Sequence, residues 1–405
     1  MNVADTFKDW CGIYPKPYRK QEVDPYTKTR IILMNGTEFE QVWYLHQFHR
    51  HCTDNELRKQ IALVRRAEQQ QQKVISALHP SDESILETTI SYEQLAVDLT
   101  AVLAKREPDK HVKMALDFAL LEDFDHLYRY SDLLEAELGV QAENLVGHYT
   151  EIMPGRPTIA EHRFPMDNVR SYVDFATAAP ITKLNVSIIT AAEQQTMNYY
   201  MNVAGFYQSH VGRQLYQEIA LIEEQHVTHY GGLLDTKMTW LEHWLCHEYN
   251  ECYLYYSCYE DETDPQIKAI WDQHFHEEIA HLHFVADLLK KHENKEWQQL
   301  IPDGTFPELL KLHENKAYVR DVIQNTVQLT SKNDEYIDVS KISNDDPFFH
   351  FQSQVNAKIE KVPSHKVINQ YLATNDMDYR YETAQHPIQA LADRTCDNTS
   401  VGRSK

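Results

Sequence analysis

No Cys-x-x-Cys pair occurs among the six cysteines, Cys11, Cys52, Cys246, Cys252, Cys258 and Cys396, which excludes a rubredoxin-type or zinc-ribbon module. Cys246, Cys252 and Cys258 stand six apart on one expected helix, too spread to share a metal or a disulfide, and the set reads as free thiols of a reducing cytoplasm. Glycine is scarce, 11 in 405 residues, and no G-x-G-x-x-G, Walker A or G-x-S-x-G stretch occurs, so nucleotide-binding and serine-hydrolase readings have no anchor. Lysine and arginine number 39 against 61 acidic residues. With a net charge of −22 and no basic stripe to replace counterions, nucleic acid is not an expected partner. No run of about 18 apolar residues is present, so no membrane span is expected. The N-terminal stretch MNVADTFKDWCGIYPKPYRK lacks an apolar segment of signal-peptide type, and a cytoplasmic location is expected.

What the chain has is a hydrophobic content of 42% and a rhythm of acidic residues. Glu193 is followed thirty positions later by Glu223-Glu224-Gln225-His226, and Glu248 by Glu278-Ile279-Ala280-His281. Each Glu-x-x-His places a carboxylate and an imidazole on one helix face, because positions three apart are neighbours. Shifted by 155, the chain matches itself without a gap: Pro25 falls on Pro180, Glu38 on Glu193, Tyr44 on Tyr199, Glu68 on Glu223, Glu93 on Glu248 and His126 on His281. A duplication is the reading. Inside each copy a weaker repeat of 55 links Glu38 to Glu93 and Glu193 to Glu248, and each of these is followed after thirty by an acid, Glu68, Asp123, Glu223 or Glu278. Each such unit reads as a helical hairpin, and two hairpins as a four-helix bundle.

The expected fold is therefore all-α, with two tandem four-helix bundles and an irregular C-terminal tail. Helices are expected at about 27–51, 56–78, 83–105, 109–138, 182–207, 210–230, 238–260 and 264–292 from periodicity, Asp and Pro at starts and Gly at ends. The expected domains are an N-terminal arm (1–24), a first bundle (25–138), a linker (139–180) with a short helix near 167–176, a second bundle (181–295), a further helix within 296–330 at about 306–327, and a polar tail (331–405).

Fe(II) and Mn(II) accept carboxylate oxygen and imidazole nitrogen together. In the second bundle Glu223 and Glu278 would bridge two ions, Glu193 and His226 would complete one, and Glu248 and His281 the other; four carboxylates balance two divalent charges. In the first bundle the matching positions hold Glu38, Glu68, Gln71, Glu93, Asp123 and His126. Gln71 stands where a histidine is expected, leaving open a vestigial bundle, a labile or mononuclear site, and a working site with unusual ligands. Glu251, three beyond Glu248, is either an extra ligand or a surface residue. His229 and His274 are either hydrogen-bond partners of the ligands or surface histidines, and the many tyrosines of the second bundle read as core filling.

On Glu193, Glu223-x-x-His226, Glu248 and Glu278-x-x-His281, residues 182–292 resemble the ferritin-like di-iron carboxylate superfamily of ferritins, bacterioferritins, rubrerythrins and di-iron oxidases. The first bundle is similar in degraded form. The resemblance implies two Fe ions, with Fe/Mn or Mn/Mn as variants, and a non-haem oxidoreductase that activates O₂ or peroxide as an oxidase, oxygenase or peroxidase. With no rubredoxin module, electrons would come from a separate protein, and a homo-oligomer is a further expectation. Two alternatives stay open, an iron-handling ferroxidase and a bundle that uses metal only for structure or regulation. Beyond the ligands, the sequence singles out no catalytic side chain and no organic cofactor.

Overall fold

The computed structural model describes residues 2–376, 378–380 and 385–392. It is predominantly helical. Eight long helices run from residue 25 to 293: α1 (Pro25–His51), α2 (Asn55–Ser76), α3 (Ile85–Arg106), α4 (Lys110–Leu138), α5 (Pro180–Phe206), α6 (His210–Gly231), α7 (Trp240–Asp261) and α8 (Pro265–Glu293). Every end lies within two residues of its expected position. Helices α5 to α8 repeat α1 to α4, each beginning and ending 155 residues after its counterpart.

The repeat extends to the caps. Ser84 with Glu87 and Thr239 with Glu242 form capping boxes at the starts of α3 and α7, where hydroxyl and carboxylate satisfy backbone N–H groups that have no partner inside the helix. Asp109 and Asp264 cap α4 and α8. Those helices end on Gly139 and Asn294, both left-handed at φ 65° and 54°, a conformation that few other residues adopt cheaply. No helix of the described residues is long and apolar enough to cross a membrane.

The chain divides into two compact units: unit 1 is Met1–Glu83, Tyr172–Gln195 and Leu234–Leu312, and unit 2 is Ser84–Ser171, Thr196–Leu233 and His313–Lys405. The units do not follow the expected boundaries 25–138 and 181–295. Unit 1 takes the hairpins α1–α2 and α7–α8 with the first part of α5, and unit 2 takes the hairpin α3–α4 with the rest of α5 and α6. The reason is that all four hairpins carry the same ligand spacing and similar apolar stripes, so the sequence does not say which of them pair.

In unit 1, α1 packs on α2, α7 on α8, and α1 on α7. The buried stripe of α8 runs Ile267, Trp271, His274, Glu278, His281, Val285 and Leu288. Its steps of three and four are those of a core-facing helix, so apolar neighbours carry the carboxylate and imidazole inward. The stripe of α2, Ile61, Val64, Glu68, Gln71 and Ile75, does the same. The expected N-terminal arm is instead packed onto this unit: short turns at Val3–Thr6 and Trp10–Ile13 lie against α2, and Lys8 Nζ meets Glu277 Oε2 at 2.6 Å.

In unit 2, α3 packs on α4 and α4 on α6. Here the middle of the expected linker is core. Residues 150–163 are buried throughout, crossing α4 at Gly155, whose N–H donates to Asp125 Oδ1 at 2.7 Å. A Cβ at Gly155 would lie 2.7 Å from the Leu121 carbonyl oxygen, so no larger residue fits this crossing. The expected helix near 167–176 is only a short turn, Pro165–Asn168.

The further helix is α9 (Lys316–Thr326), starting ten residues later than expected. The expected polar tail is ordered in its described part. Strands β1 (Leu329–Lys332) and β2 (Glu335–Asp338) form a hairpin pairing Leu329 with Asp338, closed by Asn333 and Asp334 at φ 49° and 68°. Helices α10 (Pro347–Val355) and α11 (Pro363–Asn375) follow, and α11 buries Val367, Ile368 and Tyr371 against α4 and α6. Polar composition hid this because α11 needs only one narrow apolar stripe. Cys396 and the rest of the C-terminal end lie outside the described residues.

One buried ion pair gives a direct test of unit 1. Arg30 Nε lies 3.0 Å from Glu262 Oε2 and its Nη1 2.9 Å from Asp261 Oδ2. Burial opposes ionisation of Glu262, but the Arg30 guanidinium, the Asp264 N–H and the Thr27 hydroxyl outweigh it and hold the carboxyl below its ordinary value. A depressed folded pKa stabilises above the unfolded value of about 4.3, and the contribution is lost as pH falls through the folded one. Arg30→Ala is expected to cost about 3–5 kcal/mol at pH 7 in chemical denaturation. That difference from the parent should shrink below about pH 4.

Candidate metal centres

Glu38 of α1, Glu68 of α2, Glu248 and Glu251 of α7, and Glu278 and His281 of α8 are all at 0% exposure in unit 1. They form two overlapping groups, Glu38–Glu68–Glu251 and Glu68–Glu248–Glu278–His281, and within each the ligand atoms lie within 4.8 Å of one another. Glu68 belongs to both. His281 turns Nδ1 to the cluster, 2.8 Å from Glu68 Oε1 and 3.3 Å from Glu278 Oε2.

Polar neighbours fix the carboxylates. Gln71 Nε2 donates to Glu278 Oε1 at 2.5 Å, and Gln41 Nε2 and Trp244 Nε1 donate to Glu248 Oε1 at 2.8 and 2.5 Å. The Tyr255 hydroxyl donates to Glu38 Oε1, and its oxygen lies 3.1 Å from His274 Nδ1. Neither oxygen of Glu251 has a hydrogen-bond partner among the described residues.

Burial, then mutual repulsion, pushes Glu38, Glu68, Glu248 and Glu251 well above the ordinary carboxylate range. Burial works against protonation of His281, but the charges of Glu278, Glu248 and Glu38 outweigh it and push the imidazole up to about 9. A site of this kind attracts cations, protons if nothing else.

Unit 2 builds its counterpart from Glu93 of α3, Asp123 and His126 of α4, and Glu223 and His226 of α6, all buried. Glu93, His126 and Glu223 form one group, and Asp123, Glu223 and His226 come equally close to one another. The shared member is Glu223, 155 residues after Glu68. His126 Nδ1 lies 2.9 Å from Glu223 Oε1; His226 Nδ1 lies 3.1 Å from Glu223 Oε2 and 3.2 Å from Asp123 Oδ1. The Tyr200 hydroxyl donates to Glu93 Oε1 at 2.5 Å.

Behind the two imidazoles stands a layer that unit 1 does not repeat. His226 Nε2 meets Glu122 Oε2 at 2.7 Å, and Glu122 is ion-paired with Arg163 and, at 3.4 Å, with Arg156 Nε. His126 Nε2 faces Glu161 Oε2 at 3.7 Å, and Glu161 Oε1 accepts from Arg129 Nη2 at 2.5 Å. Burial opposes the Glu122 charge, but Arg163, His226 and Arg156 prevail and hold it down at about 2. Burial, and then the Arg129 guanidinium, hold His126 well below its ordinary value, leaving it neutral. A neutral imidazole with Nδ1 toward carboxylates and Nε2 toward an acceptor is the form that binds metal. The corresponding residue in unit 1, Glu277, is engaged by Lys8 instead, and His281 Nε2 has no hydrogen-bond partner among the described residues.

The six ligands assigned to the second bundle are thus divided. Glu248, Glu278 and His281 join Glu38 and Glu68 of the first copy in unit 1, while Glu223 and His226 join Glu93, Asp123 and His126 in unit 2. Glu193 is buried in α5 and belongs to neither unit 1 group. Gln71 sits beside Glu278, so the missing histidine affects unit 1 alone. Glu251 lies inside the unit 1 cluster. His274 and His229 are buried hydrogen-bond partners, the latter 2.8 Å from the Tyr336 hydroxyl. The sequence reading missed Glu122, Glu161, Arg129, Arg156 and Arg163. The available signal was in the expected linker, where GRPTIAEHR concentrates charge beside apolar residues in a way a solvated connection does not require. Comparison with protein-family models, with curated proteins and with solved structures finds no match for the chain.

The donor set of carboxylate oxygen and imidazole nitrogen suits Fe(II) or Mn(II), and clustered buried carboxylates call for cationic charge. Glu251→Ala is expected to lower the Mn(II) content of unit 1 at least tenfold in affinity, by equilibrium dialysis. Adding Gln71→His should restore most of it; no recovery in the double variant would mean that Gln71 does not face an ion position.

Proposed function

We propose that each unit holds a pair of divalent iron or manganese ions, and that the chain is a non-haem oxidoreductase reducing O₂ or peroxide with electrons from a separate donor protein. One observation carries the reading. In both units two ligand groups overlap on a single glutamate, Glu68 or Glu223, at equivalent positions of the repeat. A carboxylate with two oxygens can serve two neighbouring cations, and two ion positions sharing one bridge are the arrangement of a dinuclear carboxylate centre in a helix bundle. In unit 1 Glu38, Glu248, Glu251, Glu278 and His281 would complete the two positions; in unit 2 Glu93, Asp123, His126 and His226 would. Glu193, the repeat counterpart of Glu38, is proposed as a ligand on that ground.

When bound, such a metal pair supplies electrons to O₂ or peroxide in steps no side chain can perform. The chain's own residues do the rest. Tyr255 and Tyr200 hold phenolic protons against Glu38 and Glu93, within reach of the clusters. Glu122 fixes the His226 ring, and the buried stripes of α2 and α8 exclude bulk water. Unit 1, with five buried carboxylates and one imidazole, also suits an iron-handling role, since an oxygen-rich set holds and releases iron more readily than one richer in nitrogen.

Metal analysis of the iron- or manganese-loaded chain should give about four ions, with anomalous scattering at the Fe and Mn edges locating two in each unit. Glu68→Ala and Glu223→Ala should each remove two ions and leave the other pair. His126→Ala, in the first copy, should loosen the ions held by Glu223 and His226 in the second. Unchanged stoichiometry in both glutamate variants would refute the centres. A loaded, reduced chain that consumes neither O₂ nor peroxide would refute the oxidoreductase reading and leave iron handling or a structural role.

A further inference from the structure

Unit 1 contains a cavity of about 550 Å³ between α7, α8 and residues 297–306, within the range of small-molecule sites. Its walls are aromatic and aliphatic, with Tyr249, Phe275, Trp297 and Phe306 beside Leu245 and Ile279. The Phe306 ring lies 5.6 Å from Tyr249 and 6.4 Å from Phe275, centroid to centroid, leaving ring edges and faces lining one space. The segment bearing Phe306 is pinned in place: the Tyr249 hydroxyl donates to the Thr305 carbonyl at 2.7 Å and the Tyr253 hydroxyl to the Glu308 carbonyl at 2.7 Å. The aromatic wall is therefore fixed before any ligand arrives.

The polar groups of the lining narrow the ligand. No lysine or arginine lines the cavity, the one basic side chain among its lining residues is the exposed His283, and the chain as a whole carries −22, so an anionic molecule would find little counter-charge. At the rim, exposed Asp287 offers a carboxylate that makes no hydrogen bond or ion pair with other described residues. An aromatic ring suits the walls, by offset or edge contacts, and a hydroxyl or amine on it could donate to Asp287. We propose that this cavity binds a neutral aromatic molecule bearing a hydroxyl or amine, whether or not the carboxylate cluster on the inner faces of α7 and α8 holds metal.

Calorimetric titration of the full chain with 2-naphthol, once stripped of metal by a chelator and once loaded with Mn(II), tests this. Saturable binding at one site is expected in both forms. Ala286→Phe and Ile279→Trp, which fill the cavity, should each weaken it at least tenfold while helical circular dichroism is kept. Asp287→Asn, at the solvent-facing rim where no core packing is at stake, should weaken 2-naphthol severalfold and leave naphthalene unaffected; it carries the test if a filled variant fails to fold. No saturable binding in either form, equal affinity for 1-octanol or 2-naphthoate, or indifference to the filling substitutions would overturn the proposal. A chain that binds 2-naphthol but no metal would refute the metal centres alone.

Discussion

The burial of five carboxylates in one core is the constraint from which the rest of unit 1 follows. Glu38, Glu68, Glu248, Glu251 and Glu278 share one core at 0% exposure. Two carboxylates about 4 Å apart repel by roughly 4 kcal/mol at an effective dielectric of about 20, and five of them compound that cost beyond the marginal stability of a domain. Such a cluster survives only if protons or metal cations neutralise it. The surrounding hydrogen bonds from Gln41, Gln71, Trp244 and Tyr255 orient the oxygens, yet apart from His281 these donors bring no positive charge. The helices are held by their apolar stripes, and the electrostatic deficit is left for something that enters from solution.

Unit 2 answers the same problem differently. Three arginines are buried behind its imidazoles, and the carboxylates nearest them, Glu122 and Glu161, face the far nitrogens of His226 and His126. Opposite charges there are compensated by the protein itself, which makes unit 2 the more pre-organised of the two. The contrast follows the two segments that break the repeat. Residues 150–163 bring Glu161 and two of the arginines into unit 2, while the N-terminal residues bring only Lys8, which pairs with Glu277 and not with the imidazole.

The eight long helices were legible in the sequence to within two residues because local signals set them: capping acids, a helix-start proline and left-handed termini at Gly139 and Asn294. The inward-facing carboxylates and imidazoles were legible too, since a Glu-x-x-His face depends only on helix geometry. Which hairpins pair was not, because Glu38, Glu93, Glu193 and Glu248 stand in the same local setting and nothing near them in sequence distinguishes one partner from another. The linker and tail misled for a related reason. Pro154, Pro157 and Pro165 signal the absence of a long helix, and only the short turns Thr158–Glu161 and Pro165–Asn168 form there, but such a backbone can be buried when its polar groups are satisfied, as at Gly155 and Asp125.

Pairing across the copies changes what the departures from the repeat mean. Gln71 replaces the residue that is His226 in the other copy, and Glu251 replaces the residue that is Ala96. Read along each copy, these are unrelated events: a lost histidine in one and a gained glutamate in the other. In space they coincide. Gln71 lies against Glu278, and Glu251 completes the group formed with Glu38 and Glu68, all within unit 1. Unit 2 keeps both histidines and has only the small, buried Ala96 where unit 1 has Glu251. The unit that lacks an imidazole therefore has an additional carboxylate, a harder and more anionic donor. That exchange moves unit 1 toward an oxygen-rich, more readily reorganised set and leaves unit 2 the fixed one. Two clusters that descend from one repeat thus differ in their donors as well as in their counter-charges, and both differences point the same way.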